Sequence, residues 1–171
     1  MKPPREDHPI VAQIPHLRRY ARALMGDPHL ADDLVQDCLA RAWSRLHLWR
    51  EGSNLRTWLF AIMHNLHANV VRGASRRPPS APFDDVAFAV PVRPTQEDRL
   101  EVASIDEALA HLPDEQRTVI LLVGLEGMSY QDAAAVLGVP LGTVMSRLHR
   151  GRERLRAMLT GAGASGLRRV K

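Results

Sequence analysis

The sequence predicts an all-α chain of two small helical domains joined by a flexible linker, and three observations lead there. Apolar residues recur at spacings of three and four in both halves, with no convincing run of period-two alternation. Between the halves, the 24 residues from Gly73 to Gln96 break that period with five prolines, Pro78, Pro79, Pro82, Pro91 and Pro94. The chain of 171 residues fits one ordinary domain or two small ones, so the change of pattern decides.

In the first half, Asp27 followed by Pro28 reads as a helix start. A side-chain oxygen caps the free amides, and the residue without an N–H takes the first position. The helix is expected to run to about Leu46, with Leu30, Leu34, Cys38, Ala42 and Leu46 as its apolar stripe. Val35, Leu39 and Trp43 flank that stripe, and Asp32, Asp33, Gln36 and Asp37 lie opposite. A second helix is expected after Ser53 or Asn54, with Trp58, Ile62, Leu66 and Val70 on one stripe beside Leu59 and Met63. It exits into Arg72, Arg76 and Arg77.

After the linker, Glu97 to His111 reads as one helix. Pro113 with Asp114 and Glu115 opens the next, the acids lying at the positive end of its dipole. Gly124 and Gly127 bracket its end. Ser129 to Leu155 then has the layout of a helix-turn-helix. Ser129 caps a short helix with Asp132 three residues on, and Gly138 supplies the left-handed position that ends it. The stiff pair Val139 and Pro140 leads to a second helix from about Leu141. Its inner side is assigned to Leu141, Val144, Leu148, Gly151 and Leu155, with Ala134 small enough to let the two helices cross closely.

Projecting that second helix at about 100° per residue puts Thr143, Ser146, His149 and Arg150 on the outer face, with Arg147 at its edge. Guanidinium groups bond guanine edges in bidentate fashion and hydroxyls read base or phosphate, so these five are candidates to enter a major groove. Arg152, Arg154 and Arg156 are assigned to phosphates. From Leu141 to Lys171 the chain carries eight Lys/Arg against the single acid Glu153, a footprint suited to a polyanion. A helical hairpin with a charged outer face would share the periodicity. The cap, the glycine turn, the small alanine and the basic face together favour the nucleic-acid reading.

Composition bounds the remainder. With 45% hydrophobic and 25% charged residues, a core forms without disulfide or structural metal, and the lone Cys38 suits a reducing cytoplasm. No signal peptide is visible, and the longest apolar runs, such as Val119 to Val123, are too short for membrane insertion. His64 and His67, taken with His47 and Cys38, offer zinc-type ligands, but His64 and His67 lie only one helical turn apart. With no second pair and Cys38 on the core stripe, no metal site is expected. No nucleophile elbow, phosphate loop or paired catalytic acid appears, so neither an enzyme nor a cofactor is expected.

Both halves resemble the extracytoplasmic-function (ECF) sigma factors. The stretch "LPDEQRTVILLVGLEGMSYQDAAAVLGVPLGTVMSRLHRGRERL" is similar to the family's fourth region, which reads the minus-thirty-five promoter element. "ADDLVQDCLARAW", followed by "SNLRTWLFAIMHNLHANVVR", is similar to its second region, which binds RNA polymerase core and opens the minus-ten element. The resemblance implies sigma region 2 over 10–72, a linker over 73–96, sigma region 4 over 97–160 and a basic tail over 161–171. The opening "IPHLRRYARALMGD" together with "ADDLVQD" resembles the general-stress branch.

By that resemblance Asp33, Gln36 and Asp37 contact the polymerase. They sit at i, i+3 and i+4, one face of a helix, where acids can pair with basic groups of a partner; without the resemblance they would be an ordinary solvated face. Arg50 to Trp58 matches the family's loop that captures a flipped base, and Asn65 matches an asparagine at the promoter-reading surface. The polar groups nearby are Ser53, Asn54, Arg56, Asn65, Asn69 and Arg72, with Trp49 and Trp58 close for stacking or core support. Members often carry Lys or Arg immediately before the Ser-Arg of the recognition helix, where this chain has Met145. At about 3.3 Å per residue the linker reaches roughly 80 Å, against roughly 70 Å for sites two helical turns apart.

The expected function is promoter-specific transcription initiation with RNA polymerase core and promoter DNA as partners, an anti-sigma factor as regulator, and a monomer outside the complex. Two other readings use the same residues. A sigma-like decoy would sequester the anti-sigma factor without touching DNA. A stand-alone helix-turn-helix regulator would leave the first-half motif unexplained.

Overall fold

The computed structural model describes residues 8–50, 52–74 and 105–166, and the chain divides into two compact units. Every regular element among the described residues is helical. The linker expected over 73–96 falls largely outside them, as does the start of the helix expected from Glu97; of the tail expected over 161–171, residues 161–166 continue α7 and the rest lie outside.

The first unit carries α1 (Pro9–Met25), α2 (Pro28–Ser44) and α3 (Leu55–Ala74), packed pairwise, with a short 3-10 turn at Leu46–Leu48. Local chemistry sets each boundary. His8 Nδ1 accepts from Ile10 N at 3.3 Å to open α1. Gly26 closes it in the left-handed region, φ 70°, with its N–H on Arg22 O. Asp27 then caps α2, its Oδ1 accepting from His29 N at 2.8 Å and Leu30 N at 2.9 Å, as the sequence predicts. Asn54, rather than Ser53, caps α3: its Oδ1 accepts from Thr57 N at 3.2 Å. The sequence reading delimits no helix over α1, which runs through Pro15; the ring sits on its exposed side.

The core of this unit is Ile10, Leu17, Tyr20, Ala21 and Leu24 from α1, Ala31, Leu34, Val35, Cys38 and Ala42 from α2, and Leu59, Phe60, Ile62 and Met63 from α3. Tyr20 meets Phe60 edge-on, ring centroids 5.2 Å apart. Cys38 Sγ donates to Leu59 O at 3.5 Å. Two expected stripes are therefore shifted. In α2, Leu30 is 49% exposed and Ala31 takes its place, because α2 faces α1 and α3 together and the buried arc centres between Leu34 and Val35. The helix also ends at Ser44, and Leu46 belongs to the 3-10 turn. In α3 the arc centres on Leu59 and Met63; Trp58 is half-buried at its edge and Val70 is half exposed.

After α3 the described chain continues with α4, over 105–110, α5 (Asp114–Ile120), a π turn (Leu121–Leu125), α6 (Tyr130–Leu137) and α7 (Leu141–Gly166), and the second unit takes these apart from 135–138. Asp114 and Glu115 occupy the first turn of α5. The π turn is closed by Glu126 N on Leu121 O at 3.0 Å, and Gly127 at φ 63° redirects the chain toward α6. Ser129 and Asp132 form the expected capping pair. Asp132 N donates to Ser129 Oγ at 3.0 Å, and that hydroxyl donates to Asp132 Oδ2 at 2.7 Å. Gly138, φ 64°, ends α6, with Val139 N on Ala134 O at 3.2 Å.

Leu109, Leu112, Val119, Leu122, Met128, Ala133, Val144 and Leu148 make up most of the second core. Here too single residues differ from expectation. Ala133 is fully buried and Ala134 only half so, while Leu141 is 41% exposed at the first position of α7. At Gly151 the helices α7 and α5 come close together. A Cβ there would lie 2.8 Å from Ile120 Cδ1 and 3.2 Å from Gln116 Cβ, so its lack of a side chain lets α7 seat against α5.

Candidate nucleic-acid interface

With Val144, Leu148 and Gly151 held inward, the outward side of α7 is set by geometry. His149 and Arg150 are exposed on it, together with Met145, Arg152, Glu153, Arg154 and Arg156. Ser146 is half-buried, and its Oγ donates to Thr143 O at 3.1 Å, which leaves the hydroxyl oxygen able to accept. His149 Nε2 lies 3.5 Å from Glu153 Oε2, a pair that carries opposite charges only when the ring is protonated. The i, i+4 spacing would have disclosed this pair, although the sequence reading counts Glu153 only as the single acid of the segment.

Arg147 stands apart from the other four candidates. Its Nη2 is 3.0 Å from Glu115 Oε2 in the first turn of α5, and its side chain is only 24% exposed. The pair ties the recognition helix to the helix behind it, and the cation is directed along the unit's flank rather than outward. Nothing local in the sequence couples Arg147 to Glu115, since the two meet only once α5 and α7 pack.

The six polar residues proposed for strand reading on the first unit do not form one cluster. Asn65, Asn69 and Arg72 are exposed along α3 at i, i+4 and i+7, and Arg72 Nη2 donates to Asn69 Oδ1 at 2.7 Å. Ser53 and Asn54 are exposed at the foot of the helix, where Ser53 Oγ donates to Arg50 O at 2.7 Å and Asn54 serves as the cap. Arg56 lies on another side of α3, half-buried, with its guanidinium carbon 5.7 Å from the Phe60 ring centroid.

On α2, Asp33, Gln36 and Asp37 are all exposed, and one helical projection places Leu30 beside Asp33 and Asp37. This is an acidic ridge with an apolar neighbour, on the side of α2 opposite Cys38. The Cys38 thiol is turned into the core, where burial pushes its pKa up to about 12. Among the described residues no helix is long and apolar enough to cross a membrane.

Residues 10–64 match the family model described as the Sigma2 domain of PhyR, and residues 103–155 match that described as Sigma-70, region 4. Among curated proteins, the ECF RNA polymerase sigma factor EcfG of Rhodopseudomonas palustris is 41% identical over 157 residues, covering 91% of this chain and 85% of the relative. Among solved structures, the sigma factor RpoE from Bartonella quintana, in complex with the anti-sigma factor NepR, has a TM-score of 0.72 at 34% identity, covering 88% of this chain and 94% of that one. The anti-anti-sigma factor PhyR from the same organism shares the fold alone, with a TM-score of 0.56 at 18% identity over 84% of this chain and 47% of that one. Two sigma-domain matches in order along the chain, and a curated relative similar over nine tenths of it, lead to one conclusion: the chain belongs to the ECF RNA polymerase sigma factor family.

Proposed function

We propose that this chain is an alternative sigma factor that binds RNA polymerase core and directs promoter-specific transcription initiation. The observation that carries this is the presence in one chain of two surfaces with different chemistry. One is the exposed acidic ridge of Asp33, Gln36 and Asp37; the other is the outward side of α7, with Ser146, His149 and Arg150 among further arginines. A regulator that only gripped duplex DNA would have no use for the first.

In this reading region 2 occupies 10–72, the linker 73–96, region 4 97–160 and the basic tail 161–171. Asp33, Gln36 and Asp37 dock on polymerase. Ser146, His149 and Arg150 read the edges of the minus-thirty-five element, Thr143 contacts its backbone, and Arg147 holds α7 in register through Glu115. Asn65, Asn69 and Arg72 line the nontemplate strand of the minus-ten element, with Ser53, Asn54 and Arg56 supporting the loop that takes a flipped base. The protein works in the cytoplasm, performs no catalysis and is held inactive by an anti-sigma protein, as RpoE is found with NepR.

The test is transcription in vitro with core polymerase and a genomic promoter library. Specific starts that depend on the added chain are expected, and their absence across the library would overturn the proposal.

A second reading is favoured by one observation: the first unit matches the PhyR sigma2 model. In that case the chain would be a decoy that captures an anti-sigma factor. Arg150→Glu separates the two, since a decoy keeps its cellular output when the α7 face is reversed and a sigma factor loses it.

A further inference from the structure

The outward side of α7 carries one large apolar group among its polar ones. Met145 is 52% exposed, more than any other large hydrophobic residue described in the second unit. On the outward side its neighbours are Gly142 one turn before, Ser146 beside it and His149 one turn after. Nothing lies within 4 Å of where a Cβ on Gly142 would stand, so the helix surface here is bare and open to close approach. Leu141, 41% exposed, is the other apolar group of this first turn, but it lies about 40° nearer the buried stripe.

A thioether donates no hydrogen bond and gains nothing from a phosphate. Its unbranched chain does fit irregular apolar surfaces well. The exposed Arg150, Arg152, Arg154 and Arg156 on the same helix suit a polyanion rather than an apolar protein surface. Of the groups presented on the floor of the major groove, the C5-methyl of thymine is the apolar one. Residues near the start of a recognition helix are those that reach base edges.

We propose that Met145 is a specificity-determining residue of α7, packing against a thymine methyl in the upstream promoter element, at a helix position where a Lys or Arg would contact charge instead. This rests on the promoter-reading function proposed above.

The test uses the full chain with core polymerase on a promoter library randomised in the upstream element, comparing the wild type with Met145→Ala and the equally long, polar Met145→Gln. Both variants should lose a thymine preference at one position and keep the preferences at the others. Replacing that thymine with deoxyuridine, which lacks the methyl, should lower wild-type initiation about fourfold and leave both variants unchanged. If the variants keep every wild-type preference, or the wild type uses deoxyuridine as well as thymine, the assignment of Met145 is overturned while promoter recognition stands. If the wild type directs no specific initiation at all, both fall.

Discussion

Arg147 and Arg150 lie one helical turn apart on α7 and have different surroundings. Arg150 is exposed, whereas Arg147 is engaged by Glu115 at 3.0 Å. Replacing Arg150 with Ala should lower transcription from a promoter with an intact upstream element by roughly 5- to 150-fold, the range of a good base contact. On a promoter randomised in that element the loss should shrink. Arg147→Ala should act by loosening α7 on α5, so Glu115→Ala should reproduce most of its effect. A Glu115→Ala variant with wild-type activity would return Arg147 to base reading. The exposed carboxylate keeps the pair's own contribution to stability small, about 0–1 kcal/mol. At the same scale, Cys38 provides a pH signature. Its thiol titrates near 12 in the fold and ordinarily at 9.0, so between those values the unfolded chain has lost a proton that the native chain keeps. Stability contributed by this group is therefore intact below about pH 9 and falls as pH rises toward 12. Urea unfolding followed over that range should show a steeper decline for the wild type than for Cys38→Ala, and alkylation at pH 8 should require unfolding.

At the scale of the helix, the crossing of α5 and α7 is set by Gly151. Alanine there would gain about 1 kcal/mol of helix propensity but meet Ile120 Cδ1 at 2.8 Å and Gln116 Cβ at 3.2 Å. Overpacking of this kind costs about 1–3 kcal/mol, so Gly151→Ala should be destabilising by up to about 2 kcal/mol in a thermal melt. Adding Ile120→Val, which removes the nearer carbon, should recover most of the loss; a melt unchanged by the second substitution would place the strain elsewhere. Ser129→Ala removes the cap of α6 and should cost about 1 kcal/mol. These caps and turns were legible in advance. Asp27, Ser129 with Asp132, and Gly138 each act on backbone within four residues of themselves. The π turn at Leu121–Leu125 was not legible, because Gly124 and Gly127 signal only that the helix stops.

For the whole molecule, the proposed polymerase-docking ridge and the proposed upstream-element surface of α7 lie in separate units and should fail separately. Asp33→Lys with Asp37→Lys reverses the exposed ridge of α2 without touching a buried residue. The double variant should keep its helical content and thermal midpoint and lose affinity for core polymerase by at least tenfold in a pull-down or fluorescence titration. Unchanged polymerase binding would move the docking surface off α2. Leu30, half exposed beside those acids, should add to the loss when replaced by Asp.

The helical class, the starts of α2, α5, α6 and α7, the two-part organisation and the basic outer side of α7 were determined by the sequence alone, because caps, periodicity and charge act over a single turn. Tertiary structure decided which of two neighbouring azimuths is buried. Ala31 replaced Leu30, because α2 packs against α1 and α3 and turns to the arc they jointly cover, and Leu141 was left outside at the first position of α7. It also decided which cation is paired. Arg147 and Arg150 look alike along the chain, and only the seating of α7 on α5 brings Glu115 to one of them.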